Sequence, residues 1–468
     1  MQHAAAAGLS MLMPACSRTE PAQSAAQSSG VFAPGALRLD WRQRVTAGAE
    51  NFTLERLRFE RKGPERWRNL ADGPDWGDYR LSVYDPASDV LLYRQGFDTG
   101  ISADALAATT PLSVRFPMPQ RPVRAVIEKR RGERTFITLS TVAIDPQDSA
   151  IDHSPVATAT RVDVIYAGGE PGAKVNLAIL GDGYRQTEYA KFADDARRAA
   201  GYLFSVEPFS RRQRDFNVSS VFAASADSGV TDSYLGLKKN TVFGCTYYSG
   251  GSERALADRN NHAVREVASA VPYDFLLILA NARRYGGSAY FGGPAVVAID
   301  SAAAKYLAIH EFAHAIGGLA DEYYIPAAGG PAYAGNIEPW HPNVTIAPEK
   351  GKWRDLLTEP VLRPSAWNKA AYDQYFANYV KRYEALRAGG ADEATVEKFM
   401  ARESQRQAAL LAQNGKQRKV GYYEGANGYA KGMFRAEADC IMFSLQTQHF
   451  CAACAAAIER MIDAHCKA

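Results

Sequence analysis

The sequence has no run of about 18 or more apolar residues, so no segment of it reads as a membrane-spanning helix. It has no excess of either charge: 54 Lys+Arg face 51 Asp+Glu, and the formal net charge is only +3. A nucleic-acid binder carries a dense basic patch, which this balance does not predict. Biased composition is also missing. With 47% hydrophobic and 22% charged residues, the chain is close to globular averages, which excludes wholesale disorder, a collagen helix and a coiled coil. No internal repeat is found. Histidine is scarce, with 8 residues, and cysteine numbers 6. The 468 residues predict two to four domains at roughly 100–200 residues each.

What is present divides the chain into three stretches. Residues 1–30 read as an export signal and linker: a small apolar start up to Cys16, then a polar segment to Gly30. Cys16 follows Met13-Pro14-Ala15 and is a candidate lipid-anchor site. Residues 31–165 alternate apolar and polar positions, as in Asp78 to Tyr84 and Phe136 to Leu139, with turn signals such as Asp85-Pro86 between them. Short alternating strands at this spacing predict a β-sandwich. Residues 166–468 change texture. Lys174 to Leu180 and Phe275 to Ala280 are near-continuous apolar runs, as in buried strands. Phe216 to Phe222 and Ala295 to Ile299 read as further strands, and Glu188 to Phe204 as a helix with Thr187 as its N-cap. Strands alternating with helices predict an α/β catalytic-type domain. Ala366 to Gln413, split by Gly389-Gly390, predicts a helical hairpin inserted in it.

The chemistry concentrates in His310-Glu311-Phe312-Ala313-His314. On a helix, His310 and His314 project from one face and can bind one Zn²⁺ through neutral imidazoles. Glu311, on the neighbouring face, can take a proton from water activated at the metal. Gly317, three residues after the second His, is placed to end the helix and turn the chain back, as in metzincins. Position 320 is Ala, so the carboxylates in reach as third ligand are Asp321, the first choice, and Glu322, the alternative or an orienting partner of a ligand. The strand at Ala295 to Ile299 is expected to offer an edge for an extended peptide.

The pattern His310-Glu311-x-x-His314-x-x-Gly317-x-Leu319-x-Asp321-Glu322-Tyr323 resembles the signature of the bacterial IgA-peptidase-type zinc metallopeptidases, metallopeptidase family 64. The resemblance extends to Leu180-Gly181-Asp182-Gly183-Tyr184, Glu207-Pro208-Phe209, Gly286-Gly287, Gly421 to Ala426, and Cys440-Ile441-Met442 with Cys451-x-x-Cys454. It implies a metzincin-like catalytic domain behind the sandwich, with Zn²⁺ as cofactor and Glu311 as general base. It also implies a Met-turn at Met442. Ser444 stands where many metzincins have a Tyr, so Tyr323, Tyr324 and Arg435 are the candidates for steadying the oxyanion.

Two functional classes follow. The first is an exported endopeptidase acting on a protein or glycoprotein, whether secreted, periplasmic or an outer-surface lipoprotein. The second is a surface glycan- or protein-binding module with a vestigial metal site, against which the intact Glu311 argues. Cysteine usage fits export, where disulfides are the default. Cys440 paired with Cys451 or Cys454 would staple the Met442 turn to the final helix, with Cys245 as the other partner for Cys440. One Cys-x-x-Cys alone is weak evidence for a metal, so a single zinc per chain is expected.

Overall fold

The computed structural model describes residues 30–63, 70–71, 73–101, 107–249, 252–324, 332–359, 364–414 and 418–466. The expected export signal and Cys16 lie outside the described residues.

The N-terminal region is two four-stranded sheets over one core. One sheet runs Ala107–Pro119, Phe32–Thr46, Ala49–Glu60, Ile151–Asp152; the other runs Leu91–Phe97, Tyr79–Tyr84, Val123–Arg130, Phe136–Ile144. Strand parity decides what faces inward. On Phe32–Thr46, Leu37, Leu39 and Trp41 enter the core beside Leu81, Val83 and Ile127. Arg38 and Asp40 leave by the opposite face and are just as buried, at 0% and 1% exposure, because the second region packs there.

That second region is built on a six-stranded sheet ordered Gly287–Ser288, Pro294–Ala298, Phe275–Ala280, Val175–Asp182, Phe216–Phe222, Arg161–Ala167. The four central strands are parallel, and Phe275–Ala280 and Pro294–Ala298 among them are apolar at every position. Leu277 and Leu279 face helices α1 (Tyr189–Leu203), α3 (Ala304–Gly317) and α6 (Ala452–Cys466) on one side. Ile278 and Ala280 face α2 (Asn261–Ala268) on the other. Both faces are covered, which is why these strands read as unbroken apolar runs. Tyr166 lies inside the edge strand Arg161–Ala167, which pairs antiparallel with Phe216–Phe222. The hairpin is present as α4 (Lys369–Ala388) and α5 (Glu393–Leu411). No helix among the described residues is long and apolar enough to cross a membrane.

Three local expectations change. Thr187 sits within a 3₁₀ turn that the Glu188 carboxylate closes by accepting from the Arg185 N–H at 2.8 Å, and Glu188, not Thr187, occupies the N-cap position of α1. The strand Pro294–Ala298 is not an open edge: Gly287–Ser288 pairs with Val296 and Val297, and Pro294 to Ala298 pair with Phe275–Ala280 on the other side. Gly317 is the last helical residue of α3, and the left-handed turn falls one residue later, at Gly318 (φ +58°). Gly318 is needed there, because a Cβ would stand 2.9 Å from the Trp340 ring.

The two regions are joined by charge. Arg38 donates to Asp40 (2.8 Å), Glu60 (2.7 Å) and, across the boundary, Glu266 of α2 (2.9 Å). Arg58 reaches Glu266 at 2.6 Å. Removing one partner from a buried ion network leaves charge uncompensated, typically at about 3–5 kcal/mol. Arg38→Ala is therefore expected to lower unfolding free energy by about that amount, measured by denaturant titration. A change within about 0.5 kcal/mol, ordinary for an exposed position, would contradict the network's role.

Candidate metal centre

Helix α3 is buried almost all round, which explains its weak amphipathic pattern. His310 and His314 leave it on one face, one turn apart. Their Nε2 atoms stand 3.2 Å from each other. The left-handed turn at Gly318 reverses the chain and brings Asp321 back to them, with Oδ1 3.1 Å from His310 Nε2 and 3.2 Å from His314 Nε2. Three donor atoms thus form a near-equilateral triangle.

The proton positions follow from the other side of each ring. His314 Nδ1 is 2.6 Å from the Leu319 carbonyl, and His310 Nδ1 is 3.2 Å from the Ile441 carbonyl and 3.0 Å from the Tyr306 hydroxyl. A carbonyl only accepts, so Nδ1 carries the proton and donates. Both Nε2 lone pairs then point at the Asp321 carboxylate. Three acceptors meeting without a proton between them fit a cation, and the set is one that binds divalent transition metals.

Without a metal, His314 favours its protonated form instead. Burial alone would lower His314, but the Asp321 carboxylate outweighs it and carries the imidazole up to about 9. Burial would raise Asp321, and the two histidines hold its carboxyl well below the usual range. Burial raises Glu311, with the Asp321 charge adding to it. Glu311 is wedged against Gly287, where a Cβ would come 2.8 Å from Oε1 and 2.9 Å from Cγ. The edge strand is therefore bare at the one point where the carboxylate passes.

The triangle opens into a cleft of about 660 Å³. Tyr285, Tyr306, Tyr323 and Trp340 line it, and the α4–α5 hairpin roofs it with Tyr375 and Tyr379. The hairpin is tied to the facing loop by Arg254, which donates to Tyr379 Oη at 2.9 Å, and by the Arg387–Glu253 ion pair. His341 also borders the cleft, and burial keeps its imidazole well below its usual pKa and so neutral.

The remaining sequence candidates separate. Tyr323 lines the cleft, with its ring stacked 6.4 Å from His310, and the Asp321 charge and burial keep its phenol protonated. Tyr324 is fully buried and donates to Asp373 at 2.6 Å, away from the cleft. Arg435 is fully buried over the Trp367 and Phe443 rings and donates to the Gly425 and Ala438 carbonyls. Its charge is committed there, so it is not placed to meet a ligand in the cleft. Met442 is buried in the tight turn after Cys440, and its carbonyl accepts from the Glu322 N–H at 2.8 Å. Glu322 points to the opposite side of the chain from Asp321, into a cluster with Cys440, Cys451 and Cys454. Cys245 lies in the separate core under α2 and so is no partner for Cys440.

Sequence reasoning named Gly286-Gly287 only as part of the resemblance and missed the contact of Gly287 with Glu311, the Tyr306 partner of His310 and the aromatic roof. Tyr306 was findable, since it precedes His310 by four residues on a helix. The roof was not, because its distance from the triangle is set by tertiary packing.

Two family models match the chain. One, described as IgA Peptidase M64, covers residues 164–462, and the other, Peptidase M64 N-terminus, covers residues 28–140. No curated protein matches it.

Proposed function

The chain belongs to the IgA peptidase M64 family, and from that premise we propose that it is a zinc-dependent endopeptidase of metzincin-like fold, with protein substrates. The carrying observation is the triangle of His310 Nε2, His314 Nε2 and Asp321 Oδ1, each 3.1–3.2 Å from the others. These three would hold the zinc. Bound there, zinc supplies a Lewis acid that polarises a carbonyl and makes water more acidic.

The chain's own residues do the rest. Glu311, desolvated and held against Gly287, accepts the proton of the attacking water on its carboxylate and returns it to the leaving amine. Tyr323, a neutral phenol in the cleft, donates to the developing oxyanion. The turn at Met442 fixes the first ligand from below, because the Ile441 carbonyl holds His310 Nδ1. The aromatic cleft excludes water from an extended peptide. Export is part of the same reading, resting on the small apolar start of the chain. A pure binding module has no use for a carboxylate positioned as Glu311 is.

Digestion of a peptide library by the purified full chain, with and without chelator, tests this reading. Chelator-sensitive cleavage is expected, and none at all in the zinc-loaded protein would refute it. Gly287→Ala is a finer test. Its Cβ displaces the Glu311 carboxylate without touching the triangle, so turnover falls by about 10²-fold, as for comparable misplacements, while zinc stays. Unchanged turnover would mean that the wedge does not set the base.

A further inference from the structure

The structure contains a second cluster of metal-ligating groups, on the far side of the Asp321-Glu322 backbone from the first. Cys440, Cys451, Cys454 and Glu322 each offer a donor atom, all within 4.8 Å of one another, and all four residues are buried. We propose that these four residues form a second, structural zinc site, separate from the one that carries the activity.

Geometry argues for a tetrahedral ion. Zinc–sulfur bonds of about 2.3 Å imply sulfur–sulfur separations of about 3.8 Å and sulfur–oxygen separations of about 3.5 Å. Cys440 Sγ and Cys454 Sγ are 3.9 Å apart. Glu322 Oε1 lies 3.2 Å from Cys451 Sγ and 3.1 Å from Cys454 Sγ. A small carboxylate rotation makes up the difference.

Backbone N–H groups reach two of the three sulfurs. The Cys451 and Met442 N–H groups donate to Cys440 Sγ at 3.1 and 3.4 Å, and the Cys454 N–H donates to Cys451 Sγ at 3.4 Å. Such bonds stabilise sulfur ligands. Cys451 and Cys454 stand at the start of α6, a 15-residue helix whose positive end favours thiolate.

The second, independent observation is Glu322. It is 0% exposed, and its Oε2 has no hydrogen-bond partner. A buried carboxylate with an orphaned oxygen is costly without a cation. The buried Arg435 guanidinium lies near enough to act on it, but its Nη1 and Nη2 donate to carbonyls and its Nε has no partner, so none of its bonds goes to Glu322. A Cys440–Cys454 disulfide would leave the Glu322 carboxylate with only the Asn343 amide and the Cys451 thiol as partners, whereas zinc would neutralise its charge and engage all three sulfurs. Three thiolates select zinc over magnesium or calcium.

The site also has a purpose in the fold. Glu322 follows Asp321 directly, its N–H is bonded to the Met442 carbonyl, and Cys440 opens the same turn. One ion thus pins the Asp321–Glu322 segment, the Met442 turn and α6 together. The four residues act as positioning residues for the first centre.

The proposal stands apart from the peptidase reading, and its test separates the two. The full chain should carry two equivalents of zinc, one for each cluster. The His310→Ala/His314→Ala chain should retain one. Cobalt(II) exchanged into that variant should show the near-ultraviolet sulfur-to-cobalt charge-transfer band, which a His₂Asp site cannot give. Glu322→Gln should weaken the retained metal and shift the cobalt spectrum, with the thiolate band kept. Loss of all metal in the double variant would overturn the site. So would cobalt spectra without a thiolate band, or recovery of a Cys440–Cys454 disulfide from the folded chain. None of these outcomes depends on cleavage of any peptide.

Discussion

Glu311→Gln is expected to lower peptide turnover by about 10²–10⁴, the usual share of a positioned acid–base group, while both metals stay bound. Gln keeps the length and hydrogen-bonding reach of Glu but cannot accept a proton. Glu311 is not one of the triangle's three donors, so zinc content should not change. Peptide affinity should hold, since the aromatic walls of the cleft are untouched. The competing view makes Glu311 a strut between α3 and the edge strand at Gly287. That view forecasts a lower melting temperature with activity largely kept. Zinc content, melting temperature and single-turnover cleavage on this one variant separate the two. Full cleavage by a zinc-loaded Glu311→Gln chain would end the proposed mechanism.

Asp321→Ala is expected to empty the first centre while sparing the second. Asp321 supplies the only carboxylate oxygen in the triangle, and it faces two imidazoles at 3.1 and 3.2 Å. Changes to outer partners of a metal ligand cost about 10–100-fold in affinity. Loss of a ligand should exceed about 100-fold, and cleavage should vanish at submicromolar free zinc. Glu322→Ala is the control: its carboxylate points the other way, so its metal loss should come from the thiolate cluster. Metal counts on the two variants decide the matter, because a reversed pattern would exchange the roles of these neighbours.

Much of this arrangement was legible in the chain. Phe275 to Ala280 is apolar at every position because both faces of the strand are covered, and its run predicted a buried strand. The spacing of His310 and His314 placed both rings on one face. Asp321 was the first choice and Glu322 the alternative, but the sequence held no signal that decides between them. Consecutive residues on an extended chain point to opposite sides, and which side held the histidines depended on where α3 ended. That end came at Gly318 rather than Gly317, and one residue of shift decides it. The peptide-edge expectation for Ala295 to Ile299 failed for a similar reason, since two residues of pairing, Gly287–Ser288, are too short to show as a pattern. The thiolate cluster escaped notice because its fourth member is remote in sequence. Cys-x-x-Cys lacked a second pair, and the fourth donor, Glu322, lies far upstream beside Asp321.

The burial of the second cluster bears on when each metal can arrive. Cys440, Cys451, Cys454 and Glu322 are each 0% exposed, so no ion reaches them once α6 is docked. The first centre opens into a cleft of about 660 Å³ and can exchange with solution at any time. Metal sites of the enclosed kind are completed as the chain folds. Three of the four enclosed donors sit in the turn before α6 and at its start, so this ion is captured as α6 closes over them. A chelator added to the finished protein should therefore strip one centre quickly and the other only at the rate of unfolding. One metal reports the present surroundings of the protein, and the other keeps a record of where and when it folded.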